Sequence, residues 1–191
     1  REFVDTGVWM DLASGRIQIT QNFRPYKAAK HIKSDDSFFE VAQIKELCLY
    51  PGDENPRIRW DGMLTRPLAP TDLARIRGFG QGDFAAVVKE VKTHLKGPLA
   101  DKQPIYALNY RRIGQVAGAF AVEDSKGERL VLTDRGITEE PASCHLLPLL
   151  PQELLENQTL ILRFRHDLDT RQLQVKPLSI VAAGGITRLT L

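Results

Sequence analysis

The chain has 191 residues, 42% hydrophobic and 26% charged, with 26 Lys and Arg against 24 Asp and Glu. Those proportions fit one or two globular domains and exclude wholesale disorder. A net charge of +2 excludes a molecule-wide basic field, so any surface for a polyanion has to be local.

Residues 1–66 read as β-rich. "GVWMDLASGRIQITQNF" has the pattern of a hairpin, with Ile17 and Ile19 following "ASG", where Gly15 supplies the positive φ of a tight turn. Next comes "NFRPYKAAKHIK", within a stretch from Leu12 to Ser34 that holds no acidic residue. Arg24, Lys27, Lys30 and Lys33 form a candidate basic patch there. The three lysines recur at helical spacing, and Phe23 and Tyr26 stand beside them as candidate stacking groups. "SFFEVAQIKELCLYPGD" is rich in β-favouring residues and ends at a Pro-Gly turn, and "NPRIRW" reads as a further short strand.

"LTRPLAPTD" marks a boundary, and 67–103 reads as a helical hairpin. Thr71 is the expected cap of its first helix, with Leu73 and Ile76 turned inward. Asp83 is the expected cap of the second, whose Phe84, Val87, Val88, Val91 and Leu95 make one apolar stripe before Gly97-Pro98 stops it. From 104 to 191 the pattern returns to short strands, with "SKGE" and "DLDT" as turns and Gln152 to Asn157 as one or two helical turns. The expected fold class is α+β: a β-rich N-terminal part, a central helical hairpin, and a C-terminal small antiparallel barrel or sandwich.

"LARIRGFGQGDFAAVV" resembles the helix-hairpin-helix motif over 71–91. Leu73, Ile76, Gly78, Phe79, Gly80, Phe84, Val87 and Val88 occupy its apolar and glycine positions. The resemblance implies contact with a DNA or RNA backbone without sequence reading. The physics of the turn agrees, since glycines admit close approach and free amides at a helix start attract anions. Arg75, Arg77, Gly78, Gly80, Gly82 and Lys89 are therefore the candidate nucleic-acid-binding residues. "GVWMDLASGRI", "FRPYKAAKHIK" and "YPGDENPRIRWDG" together resemble the region outside the zinc finger of bacterial SWIM-type zinc-finger proteins, which implies binding to nucleic acid or to other proteins. The zinc ligands of that family have no counterpart here, so no metal and no cofactor is expected.

No sequence motif marks a catalytic centre. His31, His94, His145 and His166 are scattered, there is no Cys-x-x-Cys, and no P-loop or nucleophile elbow occurs. Cys144 and His145 are adjacent, a spacing that suits a joint site poorly in a strand. Two cysteines are too few for a disulfide scaffold, and Cys48, between Leu47 and Leu49, is expected in the core. No apolar run approaches the ~20 residues of a membrane helix, and no signal peptide opens the chain. The expectation is a cytoplasmic, non-catalytic binding region of a larger protein. It contacts a nucleic-acid backbone or, alternatively, serves as a protein-interaction module; an enzyme is the third reading.

Overall fold

The computed structural model describes residues 2–25, 39–51, 56–134, 142–167 and 171–189. Lys27, Lys30, Lys33 and Tyr26 of the expected basic patch lie outside them. The chain divides into two compact units, 1–69 and 70–191.

The first unit is made of two-stranded antiparallel ribbons. β1 (Glu2–Met10) and β2 (Ile17–Pro25) form the expected hairpin, paired from Glu2↔Pro25 to Met10↔Ile17. Its turn is organised by Asp11, whose carboxylate accepts from Ala13 N at 2.9 Å and from Ser14 Oγ, and Gly15 takes φ 75°. β3 (Glu40–Ile44) pairs with β6 (Met63–Pro67), and β4 (Cys48–Leu49) with β5 (Ile58–Arg59). The two ladders keep one register, Ile44↔Met63 and then Cys48↔Arg59, so they form a single ribbon interrupted at 45–47 and 60–62. An isolated bridge, Ile19↔Arg57, joins this ribbon to β2, with Ile19 N donating to Pro56 O at 2.8 Å. Trp60, at the interruption, meets Trp9 of β1 edge-on at 4.7 Å.

The second unit starts with α1 (Pro70–Gly78) and α2 (Phe84–His94). Proline is the first residue of α1, where its missing N–H costs nothing. Thr71 therefore lies inside the helix rather than capping it. Leu73 and Ile76 are buried as expected. Asp83 caps α2, its side chain accepting from Ala86 N at 3.1 Å. Phe84, Val87 and Val91 are buried, and Leu95 packs against the core they join.

Seven strands follow: β7 (Ile105–Asn109), β8 (Arg112–Val116), β9 (Ala119–Glu123), β10 (Arg129–Val131), β11 (Thr159–Asp167), β12 (Gln172–Ala182) and β13 (Gly185–Arg188). They make two antiparallel sheets, ordered β10-β9-β8 and β13-β12-β11-β7. The β8–β9 turn uses two positive φ angles, at Ala117 and Gly118, as a tight hairpin requires. In β12, Pro177 coincides with a register shift opposite Ile161 and Leu162, the kind of irregularity that lets a strand hold a residue lacking an N–H. Cys144–Leu149 and Gln152–Leu154 are 3-10 turns.

The architecture is α+β and rich in antiparallel strands, as expected, but the sheets stay open; no closed barrel forms among the described residues. The helical hairpin is not a separate unit. The stripe on α2 enters one core with Leu108 of β7, Ile113 of β8, Val122 of β9, Leu160 and Phe164 of β11, and Ile180 of β12. Neither sheet nor helix can bury its apolar face alone, so the helices from Pro70 onward fold as one body with 104–191, while 67–69 belong to the first unit.

Candidate functional site

A glycine turn grips an anion only through amides that nothing else holds. Here Phe79 N donates to Arg75 O and Ile76 O, and Gly80 N donates to Arg77 O at 3.2 Å. Gln81 is stitched to the edge of β7: its N–H donates to Ala107 O and its carbonyl accepts from Asn109 N, both at 2.9 Å. The Asn109 side chain closes the arrangement, donating to Arg77 O at 3.2 Å and Gly80 O at 2.8 Å and accepting from Thr159 Oγ1 at 2.6 Å. A Cβ on Gly80 would lie 2.2 Å from Asn109 Oδ1, whereas Gly78 and Gly82 face open space. Gly80 thus serves close packing against Asn109, and the amides of 79–81 do not form an anion cradle.

The start of α2 is also filled. Phe84 N donates to a carboxylate oxygen of Asp124 at 3.1 Å, and Asp83 takes Ala86 N. Lys126 pairs with Asp83 at 2.6 Å. That ammonium, with the Ala86 amide, holds the Asp83 carboxyl below its ordinary range. Two carboxylates at one helix start oppose a phosphate there. The amides of Phe79, Gly80, Gln81, Phe84 and Ala86 are thus spent on the chain itself, which removes the expected anion grip from 79–81 and from the capped start of α2.

The charged candidates have separate settings. Arg75 and Lys89 are exposed, and Arg77 is half-buried with Nη2 donating to Asn157 O at 3.1 Å. Lys89, Lys92 and Lys96 are all exposed. Among the described residues none of these lysines enters an ion pair. Arg24 is paired with Asp5 across β1 and β2, so this member of the expected basic patch already has a counter-charge.

A different surface was not singled out by motif. In 1–69, Ile58 is the one buried hydrophobic side chain among the described residues, while Phe23, Leu47, Leu49, Tyr50, Met63 and Leu64 are among those exposed. At the interruption of the β3–β6 ribbon no backbone hydrogen bond joins 45–47 to 60–62. A recess of about 750 Å³ opens there, lined by Leu49, Tyr50, Trp60, Met63 and Leu64 together with Cys48 and polar neighbours. Arg57 lies over the Tyr50 ring at 5.5 Å. The sequence signal was present in the "LCLY" and "GML" runs, whose apolar residues lack any alternation with a polar face.

Both cysteines are free. Cys48 is exposed, contrary to its expected place in the core, because the ribbon around it has only two strands to cover it. Cys144 and His145 lie in a 3-10 turn rather than a strand. Asp134 accepts from Ser143 N at 3.0 Å, Ser143 Oγ at 2.9 Å and Cys144 N at 2.9 Å. Burial, reinforced by the Asp134 charge, pushes the Cys144 thiol up to about 12, which keeps it protonated and unreactive as a nucleophile. His94 contacts Asp101 O through Nε2 at 3.1 Å. Among the described residues no group of three His, Cys, Asp or Glu side chains is placed to hold a metal ion, and no helix is long and apolar enough to cross a membrane. No protein-family model, curated protein or solved structure matches the chain.

Proposed function

We propose that this chain is a non-catalytic binding region of a larger protein that docks another polypeptide through the recess in the β3–β6 ribbon. The observation that carries the reading is the apolar exposure of 1–69: Leu49 is 61% and Leu64 65% exposed, and both line the recess. Contiguous apolar surface of this kind marks interaction sites in folded proteins. A two-stranded ribbon is also marginal by itself and gains from a third strand or a covering surface. The resemblance of this part to the region outside the SWIM-type zinc finger is consistent with binding to other proteins.

The test is retention of a partner by the whole polypeptide, purified from its own cells, through a high-salt wash. Leu49→Asp with Leu64→Asp should abolish retention while leaving the far-ultraviolet circular dichroism unchanged. A parent that retains no stoichiometric partner ends this reading.

The second reading, nucleic-acid backbone contact, is favoured by exposed lysines that enter no ion pair among the described residues, two on α2 and one just beyond its end. It transfers the contact from the glycine amides to Lys89, Lys92 and Lys96. Three neutralised phosphates predict that affinity for a DNA or RNA duplex falls about 40-fold between 50 and 200 mM salt. Lys89→Glu with Lys96→Glu should remove most of that binding. Salt-independent binding, or none, rules the second reading out.

A further inference from the structure

Where Gly78 ends α1, a polar recess of about 420 Å³ opens between that turn and the segments 109–110 and 157–158. Arg77, Gly78, Asn109, Tyr110, Asn157 and Gln158 line it. Its volume is in the range of small-molecule sites, roughly 300–1,000 Å³. Two buried side-chain polar atoms of residues lining this recess, Arg77 Nε and Gln158 Oε1, have no hydrogen-bond partner among the described residues. Buried polar atoms in native proteins are overwhelmingly partnered, so a donor and an acceptor left over in one place point to a ligand that carries the converse pair.

The orientations of both side chains are set by other bonds. Gln158 Nε2 donates to Glu153 O at 3.0 Å, which turns the amide oxygen away from that carbonyl and leaves it as the acceptor. Arg77 Nη2 is committed to Asn157 O, and Asn157 adopts φ 53°, a left-handed conformation that asparagine tolerates better than most residues. Asn109 is held on both ends of its amide by Arg77 O, Gly80 O and Thr159. Asn109 is thus held at both ends, and Arg77 and Gln158 at one end each, which lowers the cost of ordering the site while leaving those two side chains room to turn toward an occupant.

The chemistry of the occupant follows from charge and shape. No carboxylate lines the recess, so the Arg77 guanidinium is its one formal charge and favours an oxyanion. The carbonyls in the last turn of α1 would repel such a group if bare, but Arg75 O, Ile76 O and Arg77 O are covered by the amides of Phe79 and Gly80. Gln158 Oε1 asks for a hydroxyl or N–H donor on the same ligand. Tyr110 is only 4% exposed and its hydroxyl donates to Leu154 O, so its ring offers no stacking face for a nucleobase. We propose that this recess binds a small hydroxylated oxyanion, such as a sugar phosphate or a sugar acid, with the anion on Arg77 and a hydroxyl on Gln158. This site is independent of the polypeptide-docking recess in 1–69.

The test is a titration of the whole chain with ribose 5-phosphate, gluconate, inorganic phosphate and ribose, followed by the NMR signals of the Gly78 amide and the Arg77 Nε–H. Ribose 5-phosphate or gluconate should shift both signals saturably; the stronger of the two identifies the oxyanion as phosphate or carboxylate. Arg77→Lys keeps the charge but removes the Nε–H and should weaken binding about tenfold. Gln158→Leu should weaken the hydroxylated ligand about fivefold and leave inorganic phosphate unchanged. The proposal is overturned if neither hydroxylated anion shifts these signals, or if inorganic phosphate binds as tightly as both. It is equally overturned if Arg77→Lys, with a melting temperature like the parent's, binds as the parent does.

Discussion

Gly78, Gly80 and Gly82 look alike in the sequence, yet their surroundings divide them. A methyl group on Gly80 would enter the Asn109 amide at 2.2 Å, and that amide is pinned by Arg77 O, Thr159 Oγ1 and the carbonyl of Gly80 itself. Gly80→Ala is expected to cost about 1–3 kcal/mol, the usual toll of forcing extra volume into a packed site. Gly78 ends a helix with open space where its Cβ would stand. Gly78→Ala is expected to be neutral or stabilising by up to about 1 kcal/mol, because alanine restricts the unfolded chain and favours helix. Urea melts of the two variants check the contrast. If both lose stability equally, the Asn109 contact is not what Gly80 serves. The glycine pattern identifies residues that permit close approach but is silent on what approaches. In this protein it is Asn109.

Between elements, the clearest electrostatic device is the clamp on Glu123 at the end of β9. Arg112 of β8 donates to it through Nε at 3.1 Å and Nη2 at 3.0 Å, and Arg129 of β10 through Nε at 2.6 Å. One carboxylate therefore ties all three strands of its sheet. The two guanidinium groups, Arg112 first, lower its carboxyl from an ordinary 4.5 to about 2. A depressed folded-state value means that the clamp is fully stabilising above pH 4.5 and is lost as the pH falls through about 2. Glu123→Gln should thus be less stable than the parent at pH 6 and should approach it as pH drops to 2. Thermal melts across that range test this, and a constant gap between the two proteins would show that the charge on Glu123 is not the source. The turn between β9 and β10 was readable from "SKGE", whereas the β8–β9 turn at Ala117 and Gly118 was not. The convergence of Arg112 and Arg129 on Glu123 was not, since register decides which charged side chains meet.

Across the whole molecule, burial is uneven: among the described residues 1–69 contributes only Ile58 to the buried hydrophobic side chains, and the rest belong to 70–191. Burying one isoleucine contributes about 2–3 kcal/mol, comparable to the cost of ordering about two residues of backbone. The ribbons of 1–69 are therefore expected to open far more readily than the sheets of 70–191. Native-state hydrogen exchange should show amides of β11 and β12 protected about 100-fold or more beyond those of β3 and β6. Equal protection would mean that the ribbons have a core of their own. Composition and local pattern alone determined the mixed α+β class, the hairpin at Gly15, the Asp83 cap, the α2 stripe and most strands, because periodicity and capping act over a few residues. Only the tertiary structure decided that the helices and C-terminal sheets share one core, that the glycine-turn amides are already taken, and that Arg77 meets Gln158 across one recess. The amides of Phe79 and Gly80 are taken locally, but the links of the turn to Ala107 and Asn109 and of Arg77 to Asn157 join residues about 26 to 80 positions apart, and no short window of sequence carries that information.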